Sequence, residues 1–267
     1  MSLLQHKRNV YSQNGEDGII EFLFKRLNVK NGNFIEFGAW DGKHLSNCYK
    51  LFQEGWTGMY IEADDNKYET LFNTFKNEKN LTLVHKMVLY SNDDNLDTII
   101  DEYWQNKKEF DFISIDVDGL DYNIFKAMKK YLPKIICIEV NAGHSPLYDA
   151  VIDIDIAQNN IGQSLNIICH EAMTKGYFPI CYTGNLFLIQ TKFYHLFPEL
   201  NYTPDLPTTL IKIYTEFLEH LSKDELEYLY KTFIIYKWFN GMVFHNPYLE
   251  NFCKTSQTIS NCLHTFP

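Results

Sequence analysis

Short runs of β-branched and aromatic residues alternate with helical periodicity over the first two-thirds of the chain. "GEDGIIEFLFKRL" (15–27) puts Ile19, Ile20, Leu23, Phe24 and Leu27 on one side, which predicts a leading amphipathic helix. Strands are predicted at 33–38, 58–63, 81–88, 111–116 and 134–140, with helices near 45–54, 65–77, 94–105 and 121–131 between them. This alternation suits βα units with right-handed crossovers, and so a parallel sheet covered by helices.

"YFPICYTGNLFLIQ" (177–190) breaks the series, because only Thr183-Gly184-Asn185 separates its two strand-like runs. It predicts a β-hairpin, which cannot continue a parallel βαβ chain. A parallel sheet closed by an antiparallel hairpin is the pattern of class I methyltransferases, whereas nicotinamide-binding Rossmann folds normally end on another parallel strand. The expected fold is therefore α/β, with a Rossmann-like seven-stranded sheet. Residues 191–267 form an aromatic-rich, mostly helical extension, with Ser222 and Glu225 in capping-box spacing. The domain division is thus 1–190 and 191–267.

Composition narrows this picture. A chain of 267 residues, 45% hydrophobic and 16% aromatic, suits one large domain or one with a modest extension. A net charge of −10 disfavours a sequence-independent grip on nucleic acid, while leaving room for an anionic small molecule in a local pocket. Six cysteines, without C-x-x-C spacing, read as isolated thiols in a reducing cytoplasm. "MSLLQHKRNVYSQ" has no apolar signal core, and no apolar run is long enough to span a bilayer. The expectation is a soluble cytoplasmic protein without membrane insertion; homo-oligomerisation is left open.

The candidate chemistry begins at "NFIEFGAWDGKHLSN" (33–47), where the first strand runs into Gly38-Ala39-Trp40-Asp41-Gly42. Glycines there allow a backbone to approach a ligand, but the G-x-x-x-G spacing is neither a dinucleotide fingerprint nor a P-loop. Taken alone, the loop is either a turn or a cofactor site. The second strand ends "IEAD", placing Glu62 where an acid can accept from both hydroxyls of a ribose; otherwise Glu62 is simply a strand end before a helix capped by Asp64 or Asp65.

"YSQNGEDGII", "FIEFGAWDGKHLSNCY", "GWTGMYIEAD" and "DFISIDVDGLDYNIF" together resemble the FkbM-type family of S-adenosylmethionine-dependent methyltransferases, over roughly residues 10–145. The resemblance implies that Glu36, Gly38, Asp41 and Gly42, with Ser46, hold the methionine part of S-adenosylmethionine. Glu62 would hold its ribose, and Met87 and Val88 would line its adenine. Gln13 and Glu16, in "SQNGED", would fold over the methionine tail; read without the resemblance, the segment is a helix start capped by Asn14. Trp40 is expected to pack under the loop. The family commonly methylates hydroxyls of sugars, including steps of surface-polysaccharide (capsule) biosynthesis. A sugar or nucleotide-sugar acceptor is the expected partner.

Methyl transfer to a hydroxyl needs a positioned acceptor and a base for its proton. The fourth strand ends in Asp116, Asp118 and Asp121, and the fifth in Glu139, Asn141 and His144. One reading has Asp116, Glu139 and Asn141 ligate Mg²⁺ or another divalent cation through oxygen. In the other, no metal binds, Asp118 or His144 is the general base, and Asp116 and the other acids orient the acceptor. Asp121 also reads as the cap of the following helix. His245, in "FHNPYL", is a candidate for a lid, but the sequence does not place it in space. Two other classes stay open: a nicotinamide-dependent sugar oxidoreductase, and a non-catalytic binding protein on the same fold.

Overall fold

The first strands of the chain are mostly apolar, as strands of a sheet covered on both sides must be. In the computed structural model, which describes residues 2–91, 93–104, 109–117, 119–149, 151, 162–229, 231, 248 and 251, they form β1 (Asn33–Phe37), β2 (Thr57–Glu62), β3 (Leu81–His85), β4 (Phe112–Ile115) and β5 (Ile135–Glu139). All of β4 is buried, as is most of β1, β2 and β5. The hairpin is present as β6 (Tyr177–Tyr182) and β7 (Asn185–Gln190).

The seven strands are ordered β3-β2-β1-β4-β5-β7-β6. β1 pairs in parallel with β2 and β4, and β5 in parallel with β4. β7 runs antiparallel to both β5 and β6, with Glu139 opposite Asn185. Strand order reverses direction between β1 and β4, so their carboxyl ends open a crevice in which ligands of such sheets bind. The antiparallel β7 brings the 183–185 turn to that same rim.

Helices cover the sheet, and side-chain caps start several of them. In α1 (Glu16–Arg26), Ile19, Ile20, Leu23 and Phe24 are buried. After the short α2 (Tyr49–Gln53) comes α3 (Asp65–Phe75), begun by Asp64, whose side chain accepts from the N–H of Asn66 and Lys67. Asn95 caps α4 (Leu96–Tyr103) through the N–H of Thr98, and α5 is Asp121–Ala127. α6 (Leu165–Thr174), unanticipated in sequence, starts at Ser164. α7 (Leu206–Glu219) has Asp205 as its cap and buries Leu210, Ile213, Tyr214, Phe217 and Leu218. Those residues join the sheet in one buried cluster, with Phe217 4.6 Å from the ring of Tyr182 on β6.

Several boundaries differ from expectation for physical reasons. β3 stops at His85, the last residue paired with β2, and Met87 then turns out to 61% exposure. The helix expected from 45 begins at Tyr49, because Ser46 and Asn47 are bound to Glu36. α1 has Gly15 (φ +92°) as its cap, not Asn14. The capping box of the tail is formed: Ser222 N–H donates to Glu225 Oε2 at 2.7 Å, and Glu225 N–H to Ser222 Oγ at 3.3 Å. Cys48, Cys137, Cys169 and Cys181 are free and buried, and burial pushes their thiols up. Asp118, His245, Cys253 and Cys262 lie outside the described residues. Among the described residues, no helix is long and apolar enough to cross a membrane.

Candidate active site

The crevice at the carboxyl ends of β1, β2 and β4 is a cleft of about 260 Å³. Gly38, Glu62, Met87, Val88 and Asp116 line it, together with Lys67 and apolar neighbours such as Ile61 and Leu120. The first five were candidates from sequence. The Lys67 position was not, since a lysine in the first turn of a helix ordinarily faces water.

Gly38 is required by its backbone. It holds φ +70°, and a Cβ there would stand 2.4 Å from the carbonyl oxygen of Asp116. Gly42 (φ +73°) is equally constrained, since a Cβ would meet Phe75 and Leu71. Between them Trp40 has φ +49° and 45% exposure, so it does not pack under the loop as expected. Its indole lies beside His44 and under the Lys67 ammonium, 5.3 Å from the ring centroid.

Glu36 anchors the loop from below. Its Oε2 accepts the Ser46 hydroxyl at 2.6 Å and Oε1 the Asn47 N–H at 2.8 Å. Burial is the main cause that pushes its carboxyl up to about 7; the two hydrogen bonds oppose the shift, while Asp116 and Asp17 add to it. Asn47 extends the anchor by donating to Ser114 Oγ on β4 at 3.0 Å. Asp41, expected at the methionine part, uses Oδ1 to accept the N–H of Lys43 (2.9 Å) and His44 (2.7 Å), and so builds the turn itself.

Glu62 is 5% exposed and faces the cleft. Oε1 accepts the N–H of Ala63 (2.8 Å) and Asp64 (2.9 Å), and Oε2 that of Trp40 (2.7 Å). One carboxylate thus ties the end of β2 to the glycine loop after β1. Met87 and Val88 follow β3 and supply an apolar wall.

The "SQNGED" segment reaches the far rim. Glu16 is fully buried, and its carboxylate accepts from Asn14 N–H (2.7 Å), Thr183 hydroxyl (2.8 Å) and Asn185 Nδ2 (3.3 Å). Asp17 Oδ2 accepts the N–H groups of Val10, Tyr11 and Ser12, each at 2.8 Å. The two acids fasten the N-terminal segment to the 183–185 turn. Gln13, whose carbonyl accepts from Asn9, lies within that segment.

Opposite the glycine loop, carboxylate oxygens of Asp116, Asp121 and Glu139 lie within 4.8 Å of one another. Asp121 is committed to the backbone, accepting from Val117 N–H and Gly119 N–H at 2.9 Å each; it is the first residue of α5, whose cap is Leu120, so it braces the preceding loop and does not cap the helix as its alternative reading had it. Asn141 Oδ1 accepts Gly143 N–H at 2.8 Å. Two of the oxygen donors around this cluster are therefore already engaged in loop structure. His144 is 3% exposed and stacks on Tyr148 at 5.6 Å. Tyr214, on α7, donates its hydroxyl to Ala142 O at 2.7 Å, so the tail helix holds the loop that carries Asn141 and His144.

The residues present fit S-adenosylmethionine. A glycine cradle that a Cβ would fill, a strand-end carboxylate and an apolar wall match an amino acid, a ribose and a flat base in turn.

Residues 93–160 match the family model for the methyltransferase FkbM domain, a span that contains Asp116, Asp121, Glu139 and His144. No curated protein matches the chain. Solved structures similar in fold include a protein assigned as a caffeoyl-CoA O-methyltransferase from Staphylococcus aureus (15% identity, 70% of this chain, 87% of that chain, TM-score 0.44). Another is a methyltransferase from Podospora anserina bound to S-adenosylhomocysteine (14% identity, 67% and 79% covered, TM-score 0.44). A third is a TehB-like S-adenosylmethionine-dependent methyltransferase from Corynebacterium glutamicum (12%, 68% and 86%, 0.39). The fold assignment rests on strand order and on the reversed β7, which also separates this sheet from nicotinamide-binding ones. Residues 93–160 thus match the methyltransferase FkbM domain, and they lie in a seven-stranded sheet with the strand order and reversed β7 expected of a class I methyltransferase.

Proposed function

We propose that this chain is a cytoplasmic O-methyltransferase that methylates a hydroxyl of a sugar, in nucleotide-activated form, for surface-polysaccharide assembly. The observation that carries the reading is the cleft at the β1/β4 switch point, with Gly38 and Glu62 on one side and Asp116 on its rim. The sugar acceptor follows from the FkbM resemblance and from a rim rich in carboxylates, which suits a polyhydroxyl ligand.

In this reading S-adenosylmethionine supplies a methyl group activated on a sulfonium centre. Gly38, Gly42 and the loop braced by Glu36, Ser46 and Asp41 receive the amino acid end, and Glu16 and Gln13 belong to the segment that covers it. Glu62 orients the ribose, and Met87 and Val88 flank the base. Asp116, exposed at the rim, accepts the hydroxyl proton at a carboxylate oxygen while the acceptor oxygen is held in line. His144, on the loop after β5, is a second base in this reading, and Asp118 stays a candidate from the sequence alone. Asp121 and Asn141 accept backbone N–H groups in the loops they brace, and no step is assigned to a cation.

The test is a mass-spectrometric screen of nucleotide sugars with the methyl donor. A methyl-mass gain on a sugar, lost in Asp116→Asn, is the expected result. No gain on any nucleotide sugar, by protein that binds the donor, overturns the acceptor class and leaves the donor site standing.

A further inference from the structure

Counting acceptor sites on Glu62 exposes a constraint. Each carboxylate oxygen takes about two donors. Oε1 already has Ala63 N–H and Asp64 N–H, while Oε2 has only Trp40 N–H. Room remains for one further donor, on Oε2. A ribose presents two neighbouring hydroxyls to this wall, so Glu62 satisfies one of them. The second is left without a protein partner unless a donor stands beside the carboxylate, and an unsatisfied polar group weakens binding.

Lys67 stands there. The Asp64 side chain accepts its backbone N–H at 2.9 Å, which fixes where the side chain leaves α3. That side chain lines the same cleft as Glu62 and Gly38. Its ammonium rests 5.3 Å from the centre of the Trp40 ring, and Trp40 is itself bonded to Glu62 Oε2. Trp40 thus meets both residues, its backbone N–H bonded to Glu62 and its ring under the Lys67 ammonium. An ammonium already held against an indole has less rotamer freedom to lose on binding. Among the described residues Lys67 enters no ion pair, whereas Lys86, the other cleft lysine, is paired with Glu102 at 2.6 Å.

We infer that Lys67 is a ribose-binding residue, its Nζ donating to one ribose hydroxyl while Glu62 Oε2 accepts from the other. The inference rests on the cofactor reading above. It makes the site selective for an intact ribose, with a donor and an acceptor assigned to different hydroxyls.

Calorimetric titration of the full chain with S-adenosylhomocysteine and its 2′-deoxy and 3′-deoxy analogues tests it, comparing wild type with Lys67→Met. The variant keeps the apolar stem and removes the donor, so S-adenosylhomocysteine should bind about tenfold more weakly. That loss should vanish for one deoxy analogue and persist for the other. An equal loss on all three ligands, or no loss on any, overturns the Lys67 contact while leaving the donor site intact. Wild-type protein that binds none of the three overturns the cofactor reading, and the contact with it.

Discussion

Gly38 and Asp116 approach so closely that a single Cβ would stand 2.4 Å from a carbonyl oxygen, with Gly38 at φ +70°. This contact joins the ends of β1 and β4 at the switch point and sets the floor of the cleft. Gly38→Ala adds both a clash and left-handed strain. We predict a destabilisation of about 2 kcal/mol or more, seen in denaturant unfolding, and loss of S-adenosylhomocysteine binding. A variant with wild-type stability and affinity would show that the loop is not constrained in this way.

Glu36 predicts a pH dependence of stability. Its folded carboxyl is raised from 4.5 to about 7, chiefly by burial. The folded state therefore holds this proton more tightly than the unfolded one. The stability it contributes is fully present below pH 4.5 and is lost as pH rises through about 7. Over that window wild type should lose roughly 3 kcal/mol relative to Glu36→Gln, which cannot titrate. Parallel stability profiles for the two proteins, by urea unfolding across pH, would remove Glu36 as the source.

Tyr214 links the tail to the rim through its hydroxyl on Ala142 O. Tyr214→Phe keeps the ring and drops one hydrogen bond, so global stability should fall by about 1 kcal/mol. Amide exchange should rise in residues 141–148 more than elsewhere. Unchanged exchange there would mean that the tail does not brace the rim.

The rim carboxylates make a further prediction about metal. With Asp116 as the base and no step assigned to a cation, methyl transfer should persist in excess EDTA and fall at least about a hundredfold in Asp116→Asn. Abolition by EDTA with recovery on adding Mg²⁺ would instead assign the cluster to a cation.

The sheet was legible because buried parallel strands write themselves as apolar runs, and because the tripeptide at 183–185 leaves room only for a hairpin. Edges were less legible. β3 stops where pairing with β2 stops, and α6 carries the strand-like run Ile167-Ile168-Cys169. Gly38 and Glu62 could be read from a strand-end pattern. The actual contacts of Asp41, Glu36 and Glu16 could not, since each depends on which backbone N–H or hydroxyl the fold delivers. Trp40 misled for a similar reason: aromatic rings usually pack inward, but its positive φ and the hydrogen bond to Glu62 turn the indole outward. Lys67 gained meaning only beside Trp40 in the cleft.

The central claim is that the cleft between Gly38, Glu62 and Asp116 holds S-adenosylmethionine. Calorimetric titration of the folded chain with S-adenosylmethionine, alongside NAD, tests it most directly. Saturable one-to-one binding of the methyl donor, weakened in Glu62→Ala and absent with NAD, is the predicted result. Folded protein that gives no binding heat with the donor, or that binds NAD in its place, would contradict it.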